Sequence, residues 1–533
     1  MSFGEDAYND CMFPERHVSS SGMTISQLRD ALLAALARLP GTREFHVHVL
    51  VSSPRKNASL YPFALPCPRA YLQDILILLS EQTTPDSPRV LVSAVEASVY
   101  NIVSTSCAIF YVSKVDSTGQ AAAPPPTQTI VRSLLLFYAD PATRPIVADH
   151  LWIHLFARAQ GQYLFPGSAE FAGKKPLSDV KLCGWWKRLL SEVAAELKDR
   201  AEAAKVQLHY TLPGYNEVEA AHMLNAVSGS DHGATWIYGH PYTQSEIPLP
   251  CPRDAPEGMT NLGHLIPSFE DDPKSRFMDD IAYTTDGEIK SPVRKRTRMI
   301  SNNQSKGEDP PKEKEWKDDK DRPLGELRKV SADEFWERMS FRQECVAGAI
   351  TGFFTVGVSA VTTKDVGRSE VSPLAPQAGQ VSSQMTKRVL ASLTTSVEFS
   401  SVECSIRATG IVEGAIRRLC EGIASVPSGV THAPRSLARP VETGRHTPER
   451  EISLVPPRTP PQRGDGGKRV MPDVSPNPFP EPVTSLETYE SHIYGSTWVG
   501  NAVPEAMVVK EEREGATGPR VTVLTARKKN KRA

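Results

Sequence analysis

"RVLVSAVEASVYNIVSTSCAIFYVSKVDSTGQAAAPPPTQTIVRSLLLF", residues 89–137, decides the fold class. Two runs rich in β-branched and aromatic residues, parted by a short polar stretch, read as strands, and the second ends at Asp116. A Gly, Ala and Pro loop follows, and the spacing of apolar residues then predicts a helix from about Thr129 to Phe137. Strand, loop and helix in that order belong to an α/β protein. A carboxylate at the strand's end, beside a helix N-terminus, stands where such proteins place binding groups, although an ordinary turn residue fits Asp116 too.

Working outward, "EFHVHVLV" from Glu44 alternates strictly, which puts Phe45, Val47, Val49 and Val51 on one strand face. His46 and His48 then fall on the other face, read as solvated because no third metal ligand accompanies them. Thr24 to Gln27 form a capping box for a first helix carrying Leu28, Leu32, Leu36 and Leu39. "DHLWIHLFARAQGQYLFPGS", Asp149 to Ser168, reads as an apolar strand or buried helix followed by an aromatic turn. "KLCGWWKRLLSEVAAEL" is helical, with Leu182, Trp186, Leu189, Val193 and Leu197 on one stripe, and Trp185 and Trp186 as core anchors. Ser331 and Glu334 make a second capping box ahead of Phe335, Trp336 and Met339.

Composition bounds the remainder. The 533 residues carry 61 Lys+Arg against 62 Asp+Glu, a formal net charge of −1, so no global basic field holds nucleic acid. The 8 cysteines form no CxxC pair, which argues against a zinc site or a disulfide framework and for a reducing compartment. No signal peptide opens the chain, and "CVAGAITGFFTVGVSAV", Cys345 to Val361, suits a buried segment better than a membrane span. The 44 prolines and the charged runs point to a sizeable unfolded fraction. The expected organisation is a flexible N-terminus (1–23), a mixed α/β core with a central sheet flanked by helices (24–284), a disordered charged insertion (285–324), a C-terminal helix of the core (325–361), a low-complexity tail (362–520) and a basic end (521–533). "VRKRTR" in the insertion reads as a nuclear localisation signal or a solvated linker, and neither it nor "ARKKNKRA" is a recognisable nucleic-acid reading module.

"IPSFEDDPKSRF", residues 266–277, sets Asp271, Asp272, Pro273 and Lys274 between apolar flanks. The motif alone allows a charged surface turn, a metal or phosphate site, or a carboxylate pair that manages a proton. Metal recedes, because no His or Cys is arranged to complete a coordination shell.

Several segments together resemble one family: "VSKVDSTG", "LFARAQGQYLFPGS", "GWWKRLL", "GHPY", "HLIPSFEDDPKSRF" and "KVSADEFWERMSFRQE". In this order they are similar to the fungal, chaperone-dependent histone H3 lysine acetyltransferases of the regulator of Ty transposition family, distant relatives of the CREB-binding-protein acetyltransferases. The resemblance covers roughly residues 24–357, with an echo in "VTVLTARKKNKR". It implies a proton acceptor or donor at Asp272 with Asp271 beside it, active-site aromatics at Trp186 and Tyr163, and self-acetylation at Lys274. It implies acetyl-coenzyme A contacts at Val115, Asp116, Ser117, Arg132, Phe156, Gln160 and Trp186, and no metal. Gln128 stands where the family has an arginine, Gln160 where it has a small residue, and Pro176-Leu177-Ser178 where it has a His-Ile-Leu stretch.

The implied partners are histones H3–H4 and histone chaperones, with no membrane and no sequence-specific nucleic acid. The implied setting is nuclear, in replication-coupled nucleosome assembly and the DNA damage response. The chemistry agrees. A free lysine has a pKa around 10.4, so only about one in a thousand or fewer is neutral near pH 7, and the ammonium form cannot attack a thioester. A carboxylate pair attracts the cation and, held close and out of water, offers a usable acceptor. The rival reading is a catalytically impaired member that acts as a scaffold for histone chaperones, with part of residues 362–510 a divergent or mistranslated insertion.

Overall fold

The computed structural model describes residues 25–200, 204–228, 233–251, 261–285, 288–289, 325–342, 345, 349–359, 372–421 and 479–502. The expected N-terminal segment 1–23, nearly all of the charged insertion with "VRKRTR", and the basic end 521–533 lie outside them.

Helix α1 (Ile25–Leu36) leads into β1 (Gly41–Val51), the short β2 (Arg55–Asn57) and β3 (Ala70–Gln82). The opening stretch forms β4 (Val90–Ile102), β5 (Cys107–Ser117) and α2 (Thr127–Ala139), as its pattern predicts. Next come β6 (His150–Ala157), α3 (Asp179–Arg200), β7 (Lys205–Thr211), α4 (Glu217–Ser228) and β8 (Trp236–Tyr238). Helix α5 (Pro273–Tyr283) runs into a two-residue pairing of β9 (Thr284–Thr285) with β10 (Glu288–Ile289). Helix α6 (Ala332–Met339) starts at the predicted capping box, where the Ser331 hydroxyl accepts the Glu334 N–H. The chain closes with β11 (Gly352–Ser359), α7 (Ser383–Thr395), α8 (Val402–Glu421) and β12 (Tyr494–Asn501).

The strands make one mixed sheet in the order β12-β1-β3-β4-β5-β6-β11-β7-β8, with β2 paired beside β3. Neighbours run antiparallel except β5 with β6 and β7 with β8. One face of β1, carrying Phe45, Val47, Val49 and Val51, packs with Leu28, Leu32, Ile130, Leu134, Trp186 and Leu189 under α1, α2, α3 and α4. The opposite face carries Leu50, Leu76, Leu78 and Leu91 and is covered by Met385, Val389, Val412 and Ile416 of α7 and α8. Towards the other end of the sheet, Phe277 and Ile281 of α5 join Phe335 and Met339 of α6 against Phe353.

Three sequence expectations are corrected here. Residues 325–361 are not one helix: among the described residues 332–339 form α6, and residues 352–359 form β11, hydrogen-bonded between β6 and β7. Phe353, Phe354, Val356 and Val358 are all buried, as a strand covered on both faces requires. Gly357 tolerates no larger residue, because a Cβ there would come within 2.8 Å of Trp152.

The stretch 362–520 is not low-complexity tail throughout. It supplies α7 and α8 to a core cluster and, in β12, the edge strand beside β1, with Gly41 opposite Asn501 and His48 opposite Tyr494. Helices α7 and α8 pack on the sheet and β12 belongs to it, so the described parts of 362–510 do not fit the reading of that stretch as in part a mistranslated insertion. Finally, His46 and His48 are not solvated. Each is 1% exposed; His46 Nδ1 lies 3.0 Å from the Tyr494 hydroxyl and His48 Nε2 3.0 Å from that of Tyr489. The alternation placed them on the right face, and the C-terminal segment covers that face.

Candidate active site

Strands β5 and β6 run parallel and stay paired only from Cys107↔His150 to Val112↔Leu155. Beyond that point β5 keeps its pairing with β4, after a bulge that leaves Ser113 without a partner between Ala97↔Val112 and Glu96↔Lys114. The two strands therefore part at their C-terminal ends, the place where parallel sheets bind ligands. A cavity of about 820 Å³ fills the gap, within the range of roughly 300–1,000 Å³ usual for small-molecule and cofactor sites.

Its walls come from distant parts of the chain: Tyr111 to Ser117 on β5, Leu155 to Gln160 at and beyond the end of β6, Tyr163, the segment Gly173 to Leu177, Thr127 and Gln128 at the start of α2, and Trp185 and Trp186 on α3. Asp271 and Arg276 complete it. Of the residues singled out in the sequence, the structure brings Val115, Asp116, Ser117, Phe156, Gln160, Tyr163, Trp186 and Asp271 to this one cavity. It does not bring Arg132, Asp272 or Lys274 to the wall.

Asp116 is the most heavily bonded of these. Its Oδ2 accepts the backbone N–H groups of Tyr163, Leu164 and Phe165 at 2.7, 2.8 and 3.2 Å. Its Oδ1 accepts the Ser117 N–H at 2.8 Å and meets Lys174 Nζ at 2.8 Å. The turn-residue alternative thus captures part of the truth: the carboxylate ties the loop after β6 to the end of β5. Tyr163 is held beside it, its hydroxyl donating to the Arg158 carbonyl, and burial pushes that phenol up to about 12.

Trp186 is buried and meets Trp185 edge to face, with ring centroids 4.7 Å apart. The core-anchor reading holds for it, and the same ring lines the cavity. Arg132 lies a helical turn into α2, and its guanidinium is occupied by Glu192 and Glu196 of α3. Gln128 lines the cavity with its amide directed at Glu192.

The DDPK stretch resolves into two different carboxylates. Asp272 caps α5, accepting the Lys274 N–H at 2.9 Å, with Pro273 in the first helical position, which explains the proline between the charges. It is 1% exposed, and its Oδ2 lies 3.0 Å from Lys274 Nζ, which sits 5.7 and 5.0 Å from the ring centroids of Phe269 and Phe353. Asp271 faces outward at the cavity and pairs at 3.0 Å with Lys114, whose other partner is Glu96 at 2.8 Å. Burial pulls the Lys114 ammonium down, but Glu96 and Asp271 more than offset it and raise it overall. Tyr111, stacked on Phe269 at 4.0 Å, has its phenol held protonated by burial first and by the charges of Asp272 and Asp271 next.

Sequence reasoning missed Lys114, Lys174, Tyr111 and the role of residues 397–399. Tyr111 and Lys114 lie with Val112 and Val115 on the same evident strand that ends at Asp116. Phe399 had no local signal. It meets Phe165 edge to face at 4.8 Å, and its N–H donates to the Pro166 carbonyl, so the C-terminal segment supports the cavity loop from behind. Gly167, at φ 74°, lets Glu398 approach, since a Cβ there would come within 2.8 Å of it.

The cavity's size and mixed lining fit an elongated cofactor with anionic and apolar parts: Val115, Leu155, Phe156, Ala157 and Trp185 offer apolar wall, and Lys175 and Arg158 offer cations. Among the described residues, no group of three or more His, Cys, Asp or Glu could hold a metal ion, and no helix is long and apolar enough to cross a membrane.

Comparisons with known proteins converge on one family. Residues 143–414, just over half of the chain, match the model of the histone acetyltransferase KAT11-type domain, and the match extends through α7 into α8. The chain is 33% identical over 291 residues to histone acetyltransferase rtt109 of Aspergillus flavus, covering 50% of this chain and 45% of that protein. It is 25% identical over 261 residues to histone acetyltransferase rtt109 of Schizosaccharomyces pombe, covering 48% of this chain and 54% of that one. The matched region thus spans about half the length of these curated relatives. The crystal structure of Rtt109 from Aspergillus fumigatus superposes with a TM-score of 0.52 at 24% identity, over 73% of this chain and 95% of that chain, a likeness of fold. With its mixed sheet, its cavity at parting parallel strands and the domain match across half its length, the chain belongs to the KAT11-type histone acetyltransferase family.

Proposed function

We propose that this chain is a histone lysine acetyltransferase that moves acetyl from acetyl-coenzyme A to lysines of histone H3. One observation carries the reading: four segments far apart in sequence, around Val115, Phe156, Trp186 and Asp271, line a single cavity in a chain of this family. When bound, the cofactor supplies an acetyl group activated as a thioester. The chain's residues do the rest. Val115, Phe156 and Leu155 give its apolar stem a dry wall, and Lys175 and Arg158 attract its phosphates.

The acceptor ammonium is drawn to Asp271, which faces the cavity, while the rings of Trp186 and Tyr163 confine the alkyl stem and limit water. The proton leaves towards the acidic doublet. Asp271 is in direct reach, and Asp272, the proton carrier that the resemblance implies, stands one residue deeper on Lys274. Self-acetylation at Lys274 requires that lysine to leave its buried pair. Chaperone-presented H3–H4 as substrate, a nuclear setting and a part in replication-coupled nucleosome assembly and the DNA damage response complete the proposal, supported by family membership.

A second reading has its own observation: Arg132 is tied to Glu192 and Glu196, and Gln128 stands where the resemblance implies an arginine, so side-chain contacts with acetyl-coenzyme A there are weakened. A member whose acetyl-coenzyme A contacts are so altered would keep histone or chaperone contacts without catalysis. Radiolabelled acetyl transfer to H3–H4, with and without a histone chaperone, separates the two. Transfer by wild type that falls at least about tenfold in Asp271→Asn and in Asp272→Asn supports the enzyme. No transfer under conditions where the chaperone still binds supports the scaffold.

A further inference from the structure

We propose that Lys174 is a positioning residue for the reaction: its ammonium locks Asp116 and thereby holds the Tyr163 loop in the cavity wall. The inference deepens the acetyltransferase reading and rests on it for the kinetic consequence, not for the structural one.

Lys174 and Asp116 form a pair at 2.8 Å with side chains only 6% and 5% exposed. The pair joins two segments that sequence separates, the end of β5 and the loop after β6, and both residues line the cavity. The second contact of Lys174 Nζ, the Ser168 hydroxyl at 2.8 Å, lies on the same loop, beyond Tyr163. The ammonium therefore spans the loop's two limbs and the strand.

The backbone is fitted to this arrangement. Gly119, at φ 77°, lies so close that a Cβ on it would come within 2.5 Å of the Lys174 Cα. Without the lysine, Asp116 keeps its backbone donors but has no buried counter-charge, and a carboxylate in that state draws in water or a proton. Either change loosens the three N–H bonds that fix Tyr163, Leu164 and Phe165. The reacting residues Asp271 and Asp272 are untouched, so the defect should fall on assembly of the cofactor wall.

The test compares wild type, Lys174→Met and Lys174→Arg. In ligand-free protein, hydrogen exchange at residues 163–165 should speed at least about tenfold in Lys174→Met and return towards wild type in Lys174→Arg, which restores the charge. In acetyl-transfer assays the KM for acetyl-coenzyme A should rise about tenfold in Lys174→Met with little change in the KM for the histone acceptor, because a small displacement of a binding wall has effects of this order. Thermal melting monitors general stability. Unchanged exchange at 163–165 in Lys174→Met overturns the proposal, as does a loss confined to kcat or equal in both KM values. Were wild type itself inactive, the acetyltransferase reading would fall while the exchange measurement still decided the role of Lys174.

Discussion

The molecule buries two aspartate–lysine pairs near one cavity, Asp116 with Lys174 and Asp272 with Lys274, and they are built differently. Asp116 receives four backbone N–H groups besides its lysine. Asp272 receives one, from the helix it caps, and its lysine lies among aromatic rings instead. A buried ion pair offsets its desolvation only when remaining lone pairs and protons are satisfied, so the first pair is a joint of the scaffold. The second has fewer backbone donors and stands beside Asp271, the carboxylate that faces the cavity. Identical residue pairs thus differ in how many backbone donors surround them, and the proposed proton carrier belongs to the pair with fewer.

The largest effect follows from breaking the richer pair. Asp116→Ala strands four N–H groups and an ammonium, and should cost about 3–5 kcal/mol of unfolding free energy by chemical denaturation. A loss below about 1 kcal/mol would mean that the hub is not what holds the loop.

Buried His48 sharpens the contrast, because it is kept neutral rather than paired. Burial first, then Arg89 and His46, lower it to about 3. Unfolded, it titrates near 6.5. Between those values the unfolded chain binds more protons, so its contribution is fully present above pH 6.5 and lost as pH falls towards 3. On lowering the pH from 6.5 to 4, stability should drop by on the order of 3 kcal/mol from this group, and His48→Gln should flatten that slope in denaturation curves.

Breaking the poorer pair costs less. Asp272→Asn should lose about 2–3 kcal/mol, since the rings of Phe269 and Phe353 retain part of the stabilisation of the Lys274 cation. Asp271→Asn is smallest in stability, below about 1 kcal/mol, because that carboxylate is 60% exposed. Its transfer rate should nevertheless fall about as far as that of Asp272→Asn, which paired denaturation and transfer measurements would separate.

Much of this was readable from sequence. Strict alternation at Glu44 to Val51, the strand–loop–helix order of residues 89–137 and the apolar stripe from Leu182 to Leu197 encode local structure, and each formed as its pattern required. The C-terminal elements did not declare themselves. β12 mixes strand formers, Tyr494, Thr497, Trp498 and Val499, with Gly495, Ser496 and Gly500, and it follows a proline-rich stretch, so its pairing with the edge of β1 some 450 residues earlier in the chain has no local signal. His46 and His48 looked solvated for the same reason, since what covers them comes from that distant segment. At the site, residue types left Asp116 and Asp271 beside ordinary turn readings, and the family resemblance supplied their implied roles. Residue types could not distinguish a cavity-facing aspartate from its buried neighbour, because that depends on which one caps α5. Nor could they reveal that α3 carboxylates occupy Arg132.

The central claim is that the cavity opened by the parting of β5 and β6 holds acetyl-coenzyme A. Calorimetric titration of acetyl-coenzyme A into wild type and Val115→Trp, whose indole would fill the cavity, tests it most directly. The account predicts saturable one-site binding by wild type that disappears in the variant while its circular dichroism stays unchanged. Equal affinity in both proteins, or no binding by folded wild type, would contradict it.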